Sequence, residues 1–175
     1  METGYLKLFG GVLILSAGIL SGLYLSRRLR ARTAILGDLI LSLTALQNEI
    51  SFVRAPLGEA FLRLSRIDGE VGRFYLRCHE GMKRLPRPSV YSIWEESLKL
   101  MFEPMMFSSE EYDAMLSLGR ELGTGDVNAQ LRAVRFTAEE LSRIRKGAEA
   151  DEKKKKRMYM GLSIIAAAVI VIAAA

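Results

Sequence analysis

The sequence predicts an all-α protein, a compact antiparallel bundle of about six helices set between N- and C-terminal transmembrane helices. Three observations predict this. The two ends of the chain are long uncharged runs, with no Asp, Glu, Lys, Arg or His from Leu8 to Ser26 or from Met158 to Ala175. No stretch between them sustains the apolar–polar alternation of a half-buried strand. Apolar residues recur there at spacings of three and four, punctuated by Pro, Gly, Ser and Asp where helices start and stop.

The first apolar run is long enough to cross the hydrocarbon core as a helix, which takes roughly 18–20 residues. Arg27, Arg28, Arg30 and Arg32 follow it, and Lys153, Lys154, Lys155, Lys156 and Arg157 precede the second run. Basic residues beside membrane helices mark the cytoplasmic side, so both clusters place the segment between them in the cytoplasm. The expected division is an anchor at 1–26, a cytoplasmic helical domain at 27–157 and a second transmembrane helix at 158–175, a two-span protein of the cell membrane. A cleaved signal peptide is disfavoured, because its charge would precede the apolar run rather than follow it. Gly18 and Gly22 have the spacing that lets another helix approach closely, although glycine is common in membrane helices anyway. The alanine-rich C-terminal run has 18 residues, so spanning is preferred over lying shallow, but by a small margin.

The net charge of +5 does not point to nucleic acid. Residues 33–152 hold 15 Lys and Arg against 19 Asp and Glu, a net charge of −4. The basic excess sits in the two clusters beside the apolar runs, where it would attract anionic lipid headgroups. Cys78 is the single cysteine, so no internal disulfide can form.

Within the middle segment, Leu36, Leu39, Leu43, Leu46, Ile50 and Val53 follow a 3-4-3-4-3 spacing. They predict one apolar seam on a helix that leaves the first membrane run and ends near Phe52. Pro56 suits the first position of a second helix, 56–66, and Asp68-Gly69 marks a turn. A third helix is expected at 70–83. The Leu85-Pro86-Arg87-Pro88 stretch must be a linker, because two prolines remove donors and restrict their predecessors. Ser89 then caps a fourth helix, Val90–Phe102, which ends before Pro104. Ser108 and Glu111 have capping-box spacing at the start of a fifth helix, which carries Tyr112, Met115, Leu116 and Leu118 to Gly123. The Gly123-Thr124-Gly125-Asp126 break leads to a sixth helix with Leu131, Val134, Ala138, Leu141, Ile144 and Ala148 along its seam, running on into the C-terminal apolar run.

No catalytic motif survives inspection. Cys78 and His79 are neighbours without a further Cys or His, so no closed zinc site is expected, and helical neighbours point about 100° apart. They read as an ordinary half-exposed pair. Gly123–Asp126 lacks the lysine and spacing of a phosphate loop. Glu95-Glu96 and Glu139-Glu140 are adjacent, so neither pair shares a helix face. Trp94 is first a core anchor and second an exposed binding residue. Met101, Met105, Met106 and Met115, with Phe102 and Phe107, fill a core or, as the lesser reading, make an adaptable docking surface. The expectation is of a non-enzyme without cofactor or metal.

Four segments in order, Ala45-Leu46-Gln47-Asn48-Glu49-Ile50, Pro56-Leu57-Gly58-Glu59-Ala60, Trp94-Glu95-Glu96-Ser97-Leu98 and Leu118-Gly119-Arg120-Glu121-Leu122-Gly123 with Asp126, resemble the stage III sporulation protein AB family of endospore-forming bacteria. The soluble part is similar in turn to the helical domain of inner-membrane platform proteins of type II secretion and type IV pilus systems. The resemblance implies a scaffold subunit of a sporulation channel complex in the mother-cell membrane around the forespore, docking a cytoplasmic secretion-type ATPase and other channel subunits. Platform proteins carry two such domains and this chain has one, a difference that homo-oligomerisation would make up. Position and resemblance together nominate Trp94, Glu95, Glu96, Arg120, Glu121, Gly123 and Asp126 as the docking residues. The competing readings are a self-assembling membrane tether without an ATPase and, least favoured, a membrane-bound enzyme.

Overall fold

The 3-4 spacing of Leu36, Leu39, Leu43 and Leu46 puts four leucines on one stripe of a helix, and all four are fully buried. They belong to α1, residues 31–48. The computed structural model describes residues 31–86, 88–102 and 107–174, and beyond residue 151 it describes side chains only at Lys153, Lys154 and Met158. A π turn, Glu49–Val53, follows α1. Then come α2 (Leu57–Leu64), α3 (Glu70–Gly81), α4 (Val90–Phe102), α5 (Ser109–Leu122) and α6 (Val127–Ala174). The protein is all-α among the described residues.

Residues Arg32–Lys146 form one compact unit. Within it α2 packs on α3, α3 on α4 and α4 on α5. Among the described residues no helix is long and apolar enough to cross a membrane. The expected N-terminal anchor lies outside the described residues. So do the side chains of the expected C-terminal span, apart from Met158.

The π turn changes the fate of the predicted seam. Ile50 stays buried, but Val53 is 56 % exposed. A π turn inserts a residue into the helical period, so the next seam position rotates away from the core. Arg54 then adopts a left-handed backbone (φ 49°) and ends the turn. Pro56 sits one position earlier than expected, as the N-cap of α2.

Other local signals act as expected. The Ser92 backbone N–H donates to Ser89 Oγ at 3.0 Å at the start of α4. The Glu111 carboxylate accepts the Ser108 backbone N–H at the start of α5, one half of a capping box, while Ser108 Oγ makes no hydrogen bond among the described residues. The Asn128 N–H donates to Asp126 Oδ1 at 2.9 Å at the start of α6. Met101 and Met115 are fully buried, and Phe102 stacks on Phe107 with ring centroids 4.1 Å apart, so these members of the Met/Phe cluster fill the core. Met105 and Met106 lie outside the described residues.

Gly72 lets α3 begin directly beneath the preceding turn. A Cβ at this position would lie 1.7 Å from the Ile67 carbonyl oxygen, a backbone atom that cannot swing aside. Gly72→Ala is expected to destabilise the domain by roughly 1–3 kcal/mol through this overpacking, read as a lower urea midpoint at unchanged slope.

Cys78 is buried rather than half-exposed, and burial pushes its thiol up to about 12. Burial also raises the phenol of Tyr75, whose hydroxyl lies 3.0 Å from Ser42 Oγ. Ser42 spends its own proton on the Leu39 carbonyl, so Tyr75 is the donor. Two consequences follow. The folded thiol should resist maleimide at pH 8 and label once urea unfolds the chain. The unfolded thiol releases its proton near its ordinary value of 9.0 while the folded one keeps it, so stability should fall as pH rises from 9 towards 12. Thermal melts across that range check the sign.

Candidate functional site

The seven nominated docking residues divide among the core, the outer face of α4 and one end of the bundle. Trp94 is fully buried, which corrects its exposed binding role. Its Nε1–H donates to the Met115 carbonyl oxygen at 2.7 Å. Its ring lies against Phe74 edge-on, centroids 4.8 Å apart, with Phe61 at 5.9 Å and Tyr75 at 6.3 Å. Gly119 makes the slot: a Cβ there would lie 2.3 Å from Trp94 Cδ1.

The neighbours of Trp94 on α4 turn outward. Glu95 accepts from Lys99 at 3.0 Å, one turn on, and this hydrogen bond raises the pKa of the exposed Lys99 ammonium. Glu96 is exposed and pairs with Arg84 of the α3–α4 connection at 2.8 Å. Arg120 stands over the Tyr91 ring, 5.7 Å from its centroid. The Glu121 carbonyl accepts from Thr124 Oγ1 at 2.8 Å in the turn after α5. Gly123 approaches Val90, with its Cβ position 3.9 Å from Val90 Cβ, so the α5–α6 turn lies beside the start of α4. Arg120, Glu121, Gly123 and Asp126 are therefore gathered at one end with Val90 and Tyr91, while Glu95 and Glu96 lie one to two turns along α4.

Sequence reasoning missed the role of Arg32. Grouped with the membrane-surface basic cluster, it is instead committed to Glu111. Its Nη2 lies 2.7 Å from Glu111 Oε1, and its Nε lies 3.1 and 3.2 Å from the two carboxylate oxygens. Arg32 is 21 % exposed and Glu111 is completely buried. The same carboxylate accepts the Ser108 backbone N–H at 2.7 Å, so one buried group caps α5 and fastens α1 to it. The capping-box spacing was visible in the sequence; the arginine 79 residues away was not. Of the remaining basic residues, Lys153 and Lys154 are exposed. Arg27, Arg28 and Arg30 lie outside the described residues, as do the side chains of Lys155, Lys156 and Arg157.

Among the described residues no group of three or more His, Cys, Asp or Glu is placed to hold a metal ion. His79 Nδ1 is 2.7 Å from the Gly58 carbonyl oxygen and donates to it, which joins the end of α3 to the start of α2. The geometry is that of a helical scaffold with the Arg32–Glu111 pair inside and most other charged side chains facing outward.

The family model described as Stage III sporulation protein AB matches residues 7–173. The chain belongs to the stage III sporulation protein AB family. A member from Bacillus subtilis (strain 168) is 22 % identical over 167 residues, covering 95 % of this chain and 98 % of the relative. A solved structure titled Stage III sporulation protein AB superposes with a TM-score of 0.60 at 21 % identity, covering 73 % of this chain and 94 % of that one. That likeness carries the fold. Membership of the stage III sporulation protein AB family gives this chain a role in sporulation.

Proposed function

We propose that this chain is a non-enzymatic platform subunit of a sporulation channel complex, held in the mother-cell membrane by its two apolar ends, with its helical domain in the cytoplasm docking a secretion-type ATPase. The observation that carries the reading is the extent of the family match: residues 7–173 take in both apolar runs as well as the bundle. The charge pattern supports the orientation, since Arg27, Arg28 and Arg30 on one side and Lys153 to Arg157 on the other adjoin the apolar runs and would meet anionic headgroups. The build of the domain supports docking. A rigid core holds several connections in fixed positions, and binding residues concentrate on such connections.

Affinity isolation of the full chain from sporulating cells tests the reading. Recovery of a cytoplasmic ATPase in near-stoichiometric amount is the expected result. Recovery of the chain alone, in higher oligomers, would replace the platform by a self-assembling tether. Glu96→Lys should reduce that recovery. The substitution breaks an exposed ion pair, worth roughly 0–1 kcal/mol, so circular dichroism and the melting temperature should stay within about 4 °C of the parent. Normal recovery with Glu96→Lys would remove Glu96 from the docking residues.

A further inference from the structure

We propose that a cavity between α3 and α4 is a binding site for a short aliphatic monocarboxylate, whose charged end Arg77 holds. The cavity measures about 160 Å³. Gly81 lets the two helices meet in its wall: a Cβ there would lie 2.6 Å from Ile93 Cγ2 on α4. The volume falls well below the roughly 300–1,000 Å³ of a drug-sized ligand's pocket, so an occupant has only a few non-hydrogen atoms.

Arg77 lines this cavity, and its charge is unanswered. Its Nη1 is shut off from solvent with no hydrogen-bond partner among the described residues. The guanidinium makes no ion pair there either. A buried donor left without an acceptor bears its full desolvation penalty. An acceptor in the cavity removes that penalty, and an anionic one does so best. The fork of a guanidinium meets a carboxylate with two short parallel bonds. Ser97, buried on α4, lines the same cavity with a hydroxyl that can also donate.

The other charges in the wall choose among anions. Arg84 and Glu96 both line the cavity and neutralise each other at 2.8 Å. Glu80 lines it too, is exposed, and pairs with no base among the described residues. A phosphate carries roughly 1.5–2 negative charges at pH 7 and would set them against both Glu80 and Glu96. A monocarboxylate brings one charge, which Arg77 answers, while Glu80 keeps its water at the surface. Ile93 and Leu100 supply the apolar part of the wall, which suits a short hydrocarbon tail. The site is independent of the docking role proposed above.

The test titrates the full chain in detergent micelles, its isoleucine methyl groups labelled, and follows the Ile93 methyl by NMR. The probes are propionate, propionamide and inorganic phosphate. Propionate should shift the signal saturably. Propionamide has the same shape without the charge and should not. Arg77→Gln should weaken propionate about tenfold or more; if that variant does not fold, the contrast between propionate and propionamide on the parent chain decides alone. No saturable shift from propionate would mean that water alone fills the cavity. Equal shifts from propionamide would make it a merely apolar pocket, and a saturable shift from phosphate a general anion site. Each of these three results overturns the proposal. The source of the carboxylate is read on the chain purified from sporulating cells. A short acid released on denaturation and identified by mass spectrometry makes it a free ligand. A bound protein that propionate elutes makes it the carboxylate of a docked side chain. Neither result would confine binding to added propionate and overturn the site as one used in the cell.

Discussion

Arg32→Ala should destabilise the helical domain by roughly 3–5 kcal/mol, because it strips a fully buried carboxylate of its cation. The loss exceeds what a surface pair would give, roughly 0–1 kcal/mol, since Glu111 cannot recover its hydration without opening the contact between α1 and α5. Glu111→Gln should cost less, roughly 1–3 kcal/mol. It removes the charge that needs compensation, keeps an acceptor for the Ser108 N–H, and leaves Arg32 partly in solvent. The combined Arg32→Ala, Glu111→Gln variant should therefore be more stable than the sum of the single losses, by roughly 1–3 kcal/mol of coupling. Urea unfolding followed by far-ultraviolet circular dichroism gives all three values. An Arg32→Ala loss below about 1 kcal/mol would mean that the carboxylate reaches water by a small local shift and that the pair is not a fixed part of the core.

Trp94→Ala should cost roughly 3–5 kcal/mol, the range for deleting a large aromatic side chain from a core that collapses only in part. Trp94 touches three other rings, and its indole satisfies the Met115 carbonyl. Trp94→Phe separates the two contributions: it keeps most of the apolar contact and forfeits the hydrogen bond, for roughly 1–3 kcal/mol. Gly119→Ala approaches the same site from the other side. A Cβ 2.3 Å from Trp94 Cδ1 forces the ring or α5 to move. If Trp94→Ala folds with little loss, the cluster has repacked, and its residual rigidity should be checked by hydrogen exchange.

Most of the bundle was legible because its helices carry their own punctuation. Val90–Phe102 was bounded by Ser89 and Pro104, and α4 has those ends. Ser108 and Glu111 marked α5, and Asp126 marked α6. The places where the reading failed share a cause. The π turn adds one residue to a helical period that looked unbroken through Val53, and nothing in the 3-4 spacing signals an insertion. Trp94 reads from the sequence as core or as surface, because its exposure depends on Gly119, 25 positions away on another helix. Arg32 looked like one of four arginines beside a membrane run, and only the fold brings it to Glu111. Position near helix ends nominates Arg120, Gly123 and Asp126, while the outward turn of Phe52 and Val53 depends on the π turn.

The enclosure of Trp94 has a consequence for observing this protein. It is the only tryptophan in the chain, it is sealed from water, and Tyr75 stands close enough to pass excitation to it. Its emission should lie at the blue end of the indole range and shift red, with loss of tyrosine transfer, only when α4 separates from α5. A ligand that settles on an outer corner leaves that signal untouched. Intrinsic fluorescence is thus a clean gauge of whether the domain is folded and a blind one for whether it is bound, so a variant that keeps the blue emission but loses assembly is defective in its surface.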